Sequence, residues 1–98
     1  MDMRQLSERQ THNLLVAIRD ADVPSAQKIA LFAILAQGVD APRMSYAQIA
    51  AAGRVSVRTA QRAVAGLRES GWLTVEPETR DDGGKGSNCY RITPPGSR

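Results

Sequence analysis

Apolar residues recur at spacings of three and four over roughly the first 70 residues, a pattern that predicts helices. The first predicted helix covers residues 8–21. Ser7 and Gln10 form an S-x-x-Q capping box at its start, and Pro24 prevents its continuation. Its apolar stripe consists of Leu14, Leu15 and Ile18.

The second predicted helix is apolar around most of its circumference. We expect Ser25 to cap it, and we expect it to end near residue 37, just before Gly38. Its apolar residues are Ile29, Ala30, Phe32, Ala33, Ile34, Leu35 and Ala36. A helix with this pattern is predicted to lie at the centre of the core.

Two further helices are predicted to follow, joined by a tight turn. Ser45 and Gln48 form a second capping box, which starts a short helix over residues 46–52. We expect Gly53 to end that helix in a left-handed conformation. Ser56 is predicted to cap the next helix, from residue 57 to about residue 70, and Gly71 to end it. Its core face is predicted to consist of Val57, Ala60, Val64 and Leu67.

The apolar period changes to two after Gly71, which predicts strands over residues 72–76 and 88–93. Pro77 is expected to end the first strand, and residues 81–84 (DDGG) indicate a turn. In the second strand, Tyr90 and Ile92 are expected on one face and Cys89, Arg91 and Thr93 on the other. Residues 43 and 44 are a candidate short extended segment.

Charge is distributed unevenly over this chain of 98 residues, whose net charge is +3. Residues 25–77 have a net charge of +3, whereas residues 1–24 have −1 and residues 78–98 have +1. No Asp or Glu occurs from residue 41 to residue 68, a segment that contains Arg43, Arg54, Arg58, Arg62 and Arg68. Positive charge therefore concentrates on the predicted pair of helices, as phosphate binding requires.

Composition argues against several classes of function. One cysteine excludes an internal disulfide, and one histidine beside it supplies too few ligands for structural zinc. No apolar run is long enough to cross a membrane, and residues 1–10 resemble no signal peptide, so we expect a soluble cytoplasmic protein. Residues 83–87 (GGKGS) lack phosphate-loop spacing, and the single histidine, His12, lies on a predicted helix far from Cys89 in sequence. We expect no enzyme, cofactor, metal or small-molecule ligand.

The motifs SYAQIAAAGRVSVRTAQRAVAGLRESGWLTVEPE and GKGSNCYRI resemble the winged helix-turn-helix domains of phage and plasmid replication initiators and small bacterial regulators. The resemblance implies an α+β fold with a three-helix core, an extra N-terminal helix and a C-terminal β-hairpin wing. It divides the chain into an N-terminal helical extension (1–24), the winged domain (25–93) and a flexible tail (94–98). Two residues depart from the family pattern. Ala65 stands where a longer polar contact residue could be, and Gly66 interrupts a helix interior, where glycine costs about 1 kcal/mol relative to alanine.

The resemblance also implies sequence-specific binding of double-stranded DNA, with the fourth predicted helix in the major groove. At 100° per residue, Arg62 lies almost opposite the core face, and Arg58 lies one turn before it. We expect both to contact bases, guanine above all, unless they are ordinary solvated arginines. Thr59 is expected to contact a thymine methyl group or a phosphate.

Several other residues are predicted to contact the DNA backbone. The phosphate contacts are expected from Arg43, Ser45, Tyr46, Gln48, Arg54 and Ser56. Tyr46 is equally well explained as a residue at the edge of the core. Arg80 and Lys85 flank the predicted wing tip and are candidates for the minor groove, although Asp81 and Asp82 oppose deep insertion. A solvated tip is the alternative.

Two classes of function remain open at this point. The first is a DNA-binding protein, associated with the nucleoid, that regulates transcription or takes part in replication initiation. The second is a winged-helix interaction module whose basic face meets an acidic partner. The N-terminal stripe either closes the core or pairs with a second copy to form a homodimer.

Overall fold

Helices occupy most of the first two thirds of the chain and strands most of the last third in this computed structural model, which describes residues 3–77 and 87–95. The helices within these ranges are α1 (Met3–Arg19), α2 (Ser25–Leu35), α3 (Tyr46–Gly53) and α4 (Val57–Glu69). The strands there are β1 (Arg43–Met44), β2 (Leu73–Pro77) and β3 (Asn88–Ile92). The predicted α+β class is therefore confirmed.

The starts of the first two helices differ from the predictions. α1 begins at Met3, so Ser7 lies inside the helix and not at its cap. Residues 3–6 (MRQL) are all good helix formers, which lets the helix extend past the capping box. Ser25 is the first residue of α2, and Pro24 occupies the cap position with no side-chain hydrogen bond. The Pro24 carbonyl accepts the Lys28 N–H at 3.1 Å, so the helix starts one residue earlier than predicted.

The turn between α3 and α4 places its left-handed residue at Arg54, and the prediction for Gly53 is wrong. Arg54 has φ +56° and ψ +44°, and the Val55 N–H donates to the Ala50 carbonyl at 3.0 Å to close the turn. Gly53 is still helical. A Cβ atom there would lie 2.6 Å from Cγ2 of Ile29, so glycine at this position permits close packing of α3 on α2.

The sheet has the order β1-β3-β2 with antiparallel pairing throughout the described strands. Arg43 pairs with Cys89 in the β1–β3 ladder, so the candidate extended segment is a strand. Pro77 is the last residue of β2, one residue later than predicted, and Trp72 precedes the strand. Thr93 donates from its N–H to the Trp72 carbonyl and from its hydroxyl to the Gly71 carbonyl, both at 2.8 Å. These bonds attach the end of β3 to the residues that follow α4.

The core lies around α2 and receives side chains from every helix. The α2 residues Ala30, Leu31, Ala33, Ile34 and Leu35 are all buried, as predicted for the central helix. From α1, Ile18 is fully buried and Leu14 is partly buried, whereas Leu15 is 42% exposed. Most of the N-terminal stripe therefore closes the core. No helix among the described residues has the length and apolar character that crossing a membrane requires.

The buried face of α4 differs from the prediction at two positions. Ala60, Ala63, Val64 and Leu67 are buried, whereas Val57 is 44% exposed. The buried face therefore includes Ala63, which was not predicted, and excludes Val57, which was predicted. Gly66, which sequence alone marks as unfavourable, faces Gln27 of α2, whose side-chain amide occupies the space that a Cβ atom would need.

Candidate nucleic-acid interface

The exposed face of α4 carries two arginines one helical turn apart. Arg58 and Arg62 are both exposed, on the side of the helix opposite its buried residues. Within residues 3–77 and 87–95, neither forms an ion pair. Glu69, at the C-terminal end of α4, is the first acidic residue on the helix. The two guanidinium groups are therefore available to an anion or to hydrogen-bond acceptors.

Two hydrogen bonds between Ser56 and Thr59 hold the first turn of α4. The Ser56 Oγ accepts the Thr59 N–H at 3.0 Å, as predicted for a cap, and donates its proton to Thr59 Oγ1 at 2.9 Å. Thr59 is half-buried, and it lines a shallow groove with Pro24, Gln27 and Arg62. Thr59 thus lies at the α2 side of the exposed face, and its oxygen already accepts one hydrogen bond.

The turn before α4 presents a third exposed arginine. Arg54 adopts the left-handed conformation that ordinarily favours glycine, and it forms no ion pair within the described part of the chain. A residue with a Cβ atom costs free energy in this conformation. The guanidinium group is exposed beside the start of α4.

At the start of α3, Ser45 and Gln48, which were predicted to contact phosphates, hydrogen-bond each other in the helix cap. The Ser45 N–H donates to Gln48 Oε1 at 2.8 Å, and the Gln48 N–H donates to Ser45 Oγ at 3.1 Å. This confirms the capping box. The Gln48 NH₂ group and the Ser45 hydroxyl proton keep their capacity to donate to a phosphate. Tyr46 is partly buried against the core, which favours the core-edge interpretation of that residue.

The sheet, and not the helix pair, holds Arg43. Its cross-strand partner is Cys89, whose partner on the other side is Glu76, so these three residues share one face of the sheet. Arg91 is exposed and pairs with Thr74 on the same face. That face carries charges of both signs. The predicted wing residues Arg80 and Lys85 lie outside the described residues.

Sequence reasoning missed two exposed residues of α4, Val57 and Gln61. At 100° per residue, Val57 lies only about 20° beyond the arc of the four buried residues, so helical periodicity alone places it on the core face. Gln61 follows Val57 by one turn on the same flank of the helix. The exposed face of α4 is therefore wider than its arginines alone.

Only one described group near the helix pair and sheet has a clearly shifted pKa. Burial raises the pKa of the Tyr90 hydroxyl, and the hydrogen bond from Asn88 Nδ2 at 3.1 Å opposes that shift. Just after α1, a hydrogen bond and ion pair with Arg19 at 2.9 Å lower the pKa of Asp20. In the described ranges, no group of three His, Cys, Asp or Glu side chains is placed to hold a metal ion.

No family model, no curated protein and no solved structure matches the chain. The role of α4 is therefore inferred from its own geometry and charge.

Proposed function

We propose that the chain is a winged helix-turn-helix protein that binds double-stranded DNA sequence-specifically, as a small transcriptional regulator or a replication-initiation factor. The observation that carries this proposal is the pair Arg58 and Arg62, exposed on α4 and without an ion pair among the described residues. An α-helix fits the width of the DNA major groove, and arginine forms bidentate hydrogen bonds with O6 and N7 of guanine.

The anchoring of α4 supports a role in base recognition. The helix is capped by Ser56 and attached to the core by Ala60, Ala63, Val64 and Leu67. Side chains that read bases need a rigid support, because a misplaced guanidinium group loses one of its two hydrogen bonds. α4 therefore presents Arg58 and Arg62 from a fixed backbone.

The neighbouring elements offer donors for the phosphate backbone. Arg54 precedes α4 in the turn, while Ser45 and Gln48 carry donor groups at the start of α3. Backbone contacts of this kind orient a protein on DNA and supply most of the salt-dependent affinity. In this proposal the β2–β3 hairpin is the wing, and Arg80 and Lys85 flank its tip.

The proposal is tested by selection from a randomised duplex pool at two salt concentrations. We expect a defined motif to be recovered, with affinity that falls as salt increases. Arg58→Ala and Arg62→Ala should each weaken binding to that motif by about 1–3 kcal/mol and relax the preference at one position. Arg9→Ala is the matched control, because Arg9 is an exposed arginine on α1.

The outcomes separate the two classes of function. Equal affinity for all sequences would contradict specific recognition. Absence of DNA binding at low salt would instead favour the interaction module with an acidic partner. Pairing of two copies through α1 stays a prediction, and light scattering after size-exclusion chromatography measures it directly.

A further inference from the structure

Beside the two arginines, the N-terminal half of α4 presents a second exposed row that consists of Val57 and Gln61. Val57 is one of three large apolar side chains that are strongly exposed in the described part of the chain, and its exposed fraction is 44%. It follows the cap residue Ser56 directly, so the capped first turn fixes its position. An apolar side chain at this place can make contact with an apolar group of a base.

Gln61 lies one turn after Val57 and is exposed. Among the described residues, no hydrogen bond engages its side-chain amide. The amide offers a donor and an acceptor side by side, which is the complement of N7 and N6 of adenine in the major groove. The only apolar group displayed there is the thymine methyl group.

Given the proposed function, we infer that Val57 and Gln61 read A·T base pairs next to the guanine contacted by Arg58. Gln61 accepts from N6 and donates to N7 of adenine, while Val57 packs on a thymine methyl group. The inference depends on DNA binding by α4 and adds the class of base that each residue selects.

The spacing of the row fits two base pairs that lie two steps apart. Residues four apart advance about 6 Å along a helix, which is close to two base-pair steps of about 3.4 Å. Ala65 continues the row by one more turn, but its side chain ends at Cβ and offers no hydrogen bond. Hydrogen-bonded readout by this row is thereby confined to the first two turns of α4, the part of such a helix that approaches the base edges most closely.

The methyl contact is tested on the selected motif by replacing each thymine in turn with deoxyuridine, which lacks only the methyl group. At one position we expect the native chain to lose about fourfold in affinity, equivalent to the ~0.8 kcal/mol of one buried methyl group. Val57→Ala should bind both duplexes equally. Val16→Ala on α1 is the matched control and should keep the fourfold ratio.

The adenine contact is tested with 7-deazaadenine, which lacks the N7 acceptor, and with Gln61→Ala. We expect the affinity of the native chain to be lower by about fivefold or more for the duplex with 7-deazaadenine than for the unmodified duplex. Gln61→Ala should bind these two duplexes with equal affinity. Gln37→Ala, at an exposed glutamine beyond α2, should behave like the native chain. Circular dichroism establishes that each variant is folded.

The results distinguish failure of the inference from failure of the proposed function. A motif that depends on Arg58 but tolerates deoxyuridine and 7-deazaadenine everywhere would overturn the inference alone. Ratios that persist in Val57→Ala and Gln61→Ala would also overturn it, because other residues would then make the contacts. Absence of any DNA binding would overturn both.

Discussion

Arg54→Gly tests whether the residue in the turn before α4 serves binding at the expense of stability. Arg54 has φ +56°, a conformation that disfavours a residue with a Cβ atom by about 1–2 kcal/mol. Glycine relieves that cost but loses about 0.4–1 kcal/mol more chain entropy on folding. We therefore expect a net stabilisation of about 0.5–1 kcal/mol, equivalent to an increase in Tm of roughly 3–6 °C for a domain of this size.

DNA binding should change in the opposite direction. If Arg54 contacts a phosphate, Arg54→Gly removes one contact, and the slope of log K against log salt should become shallower by about 1. The assay is a titration of the selected duplex at several salt concentrations, in parallel with urea denaturation. Arg54→Ala is the control, because it removes the same charge and keeps a Cβ atom in the turn. It should reproduce the loss of binding without the gain in stability.

Two results would refute this reasoning separately. Equal stabilities of Arg54→Gly and Arg54→Ala would mean that the residue is not held in the left-handed conformation. An unchanged salt slope in both variants would mean that the guanidinium group does not reach a phosphate.

Three further predictions concern the stability of the fold. Gly53→Ala should destabilise the fold by up to about 2 kcal/mol in urea denaturation, because overpacking against Ile29 exceeds the gain in helix propensity. In an Ile29→Ala background the same substitution should stabilise the fold. Destabilisation in both backgrounds would contradict the close approach of Gly53 to Ile29. Ser56→Ala should lower the free energy of unfolding by about 1 kcal/mol, because it removes the cap of α4. Ser25→Ala removes no cap bond and should change it by less than about 0.5 kcal/mol. Equal losses in the two variants would be inconsistent with the observed caps. Burial raises the pKa of the Tyr90 hydroxyl, so as pH rises this hydroxyl ionises in the unfolded chain before it ionises in the folded one. The free energy of unfolding should therefore be independent of Tyr90 ionisation below about pH 10 and should decrease above it. Urea denaturation against pH should show this decline, and a Tyr90→Phe variant that declines equally would contradict it.

The parts of the fold that sequence predicts well are those with short-range causes. The Ser45–Gln48 box and the Ser56 cap involve residues three apart, and all three hydrogen bonds form as predicted. The apolar residues around most of α2 likewise predict that this helix lies at the centre of the core, because other elements have to cover such a helix.

Contacts between distant segments are the part of the structure that the sequence does not show. Gly53 suggests a helix end by itself, and only the proximity of Ile29 shows that it serves packing. The space beside Gly66 is likewise filled by Gln27, far away in the chain. Residues 43 and 44 become a strand because β3 pairs with them. None of these partners can be inferred from the local sequence.

The candidate site is partly predictable because its arginines break local rules for helix stability. Arg58 lies near the N-terminal end of α4, where the helix dipole disfavours a cation by about 0.3–1 kcal/mol, and Arg62 adds a like charge four residues later at about 0.2–0.5 kcal/mol. Full burial of Leu67 alone contributes about 1.5–3 kcal/mol, so the helix tolerates these charges. Bound phosphates and base acceptors would convert the unfavourable cluster into a favourable one. Residues that reduce local stability, with no compensating ion pair among the described residues, therefore support α4 as the proposed binding face.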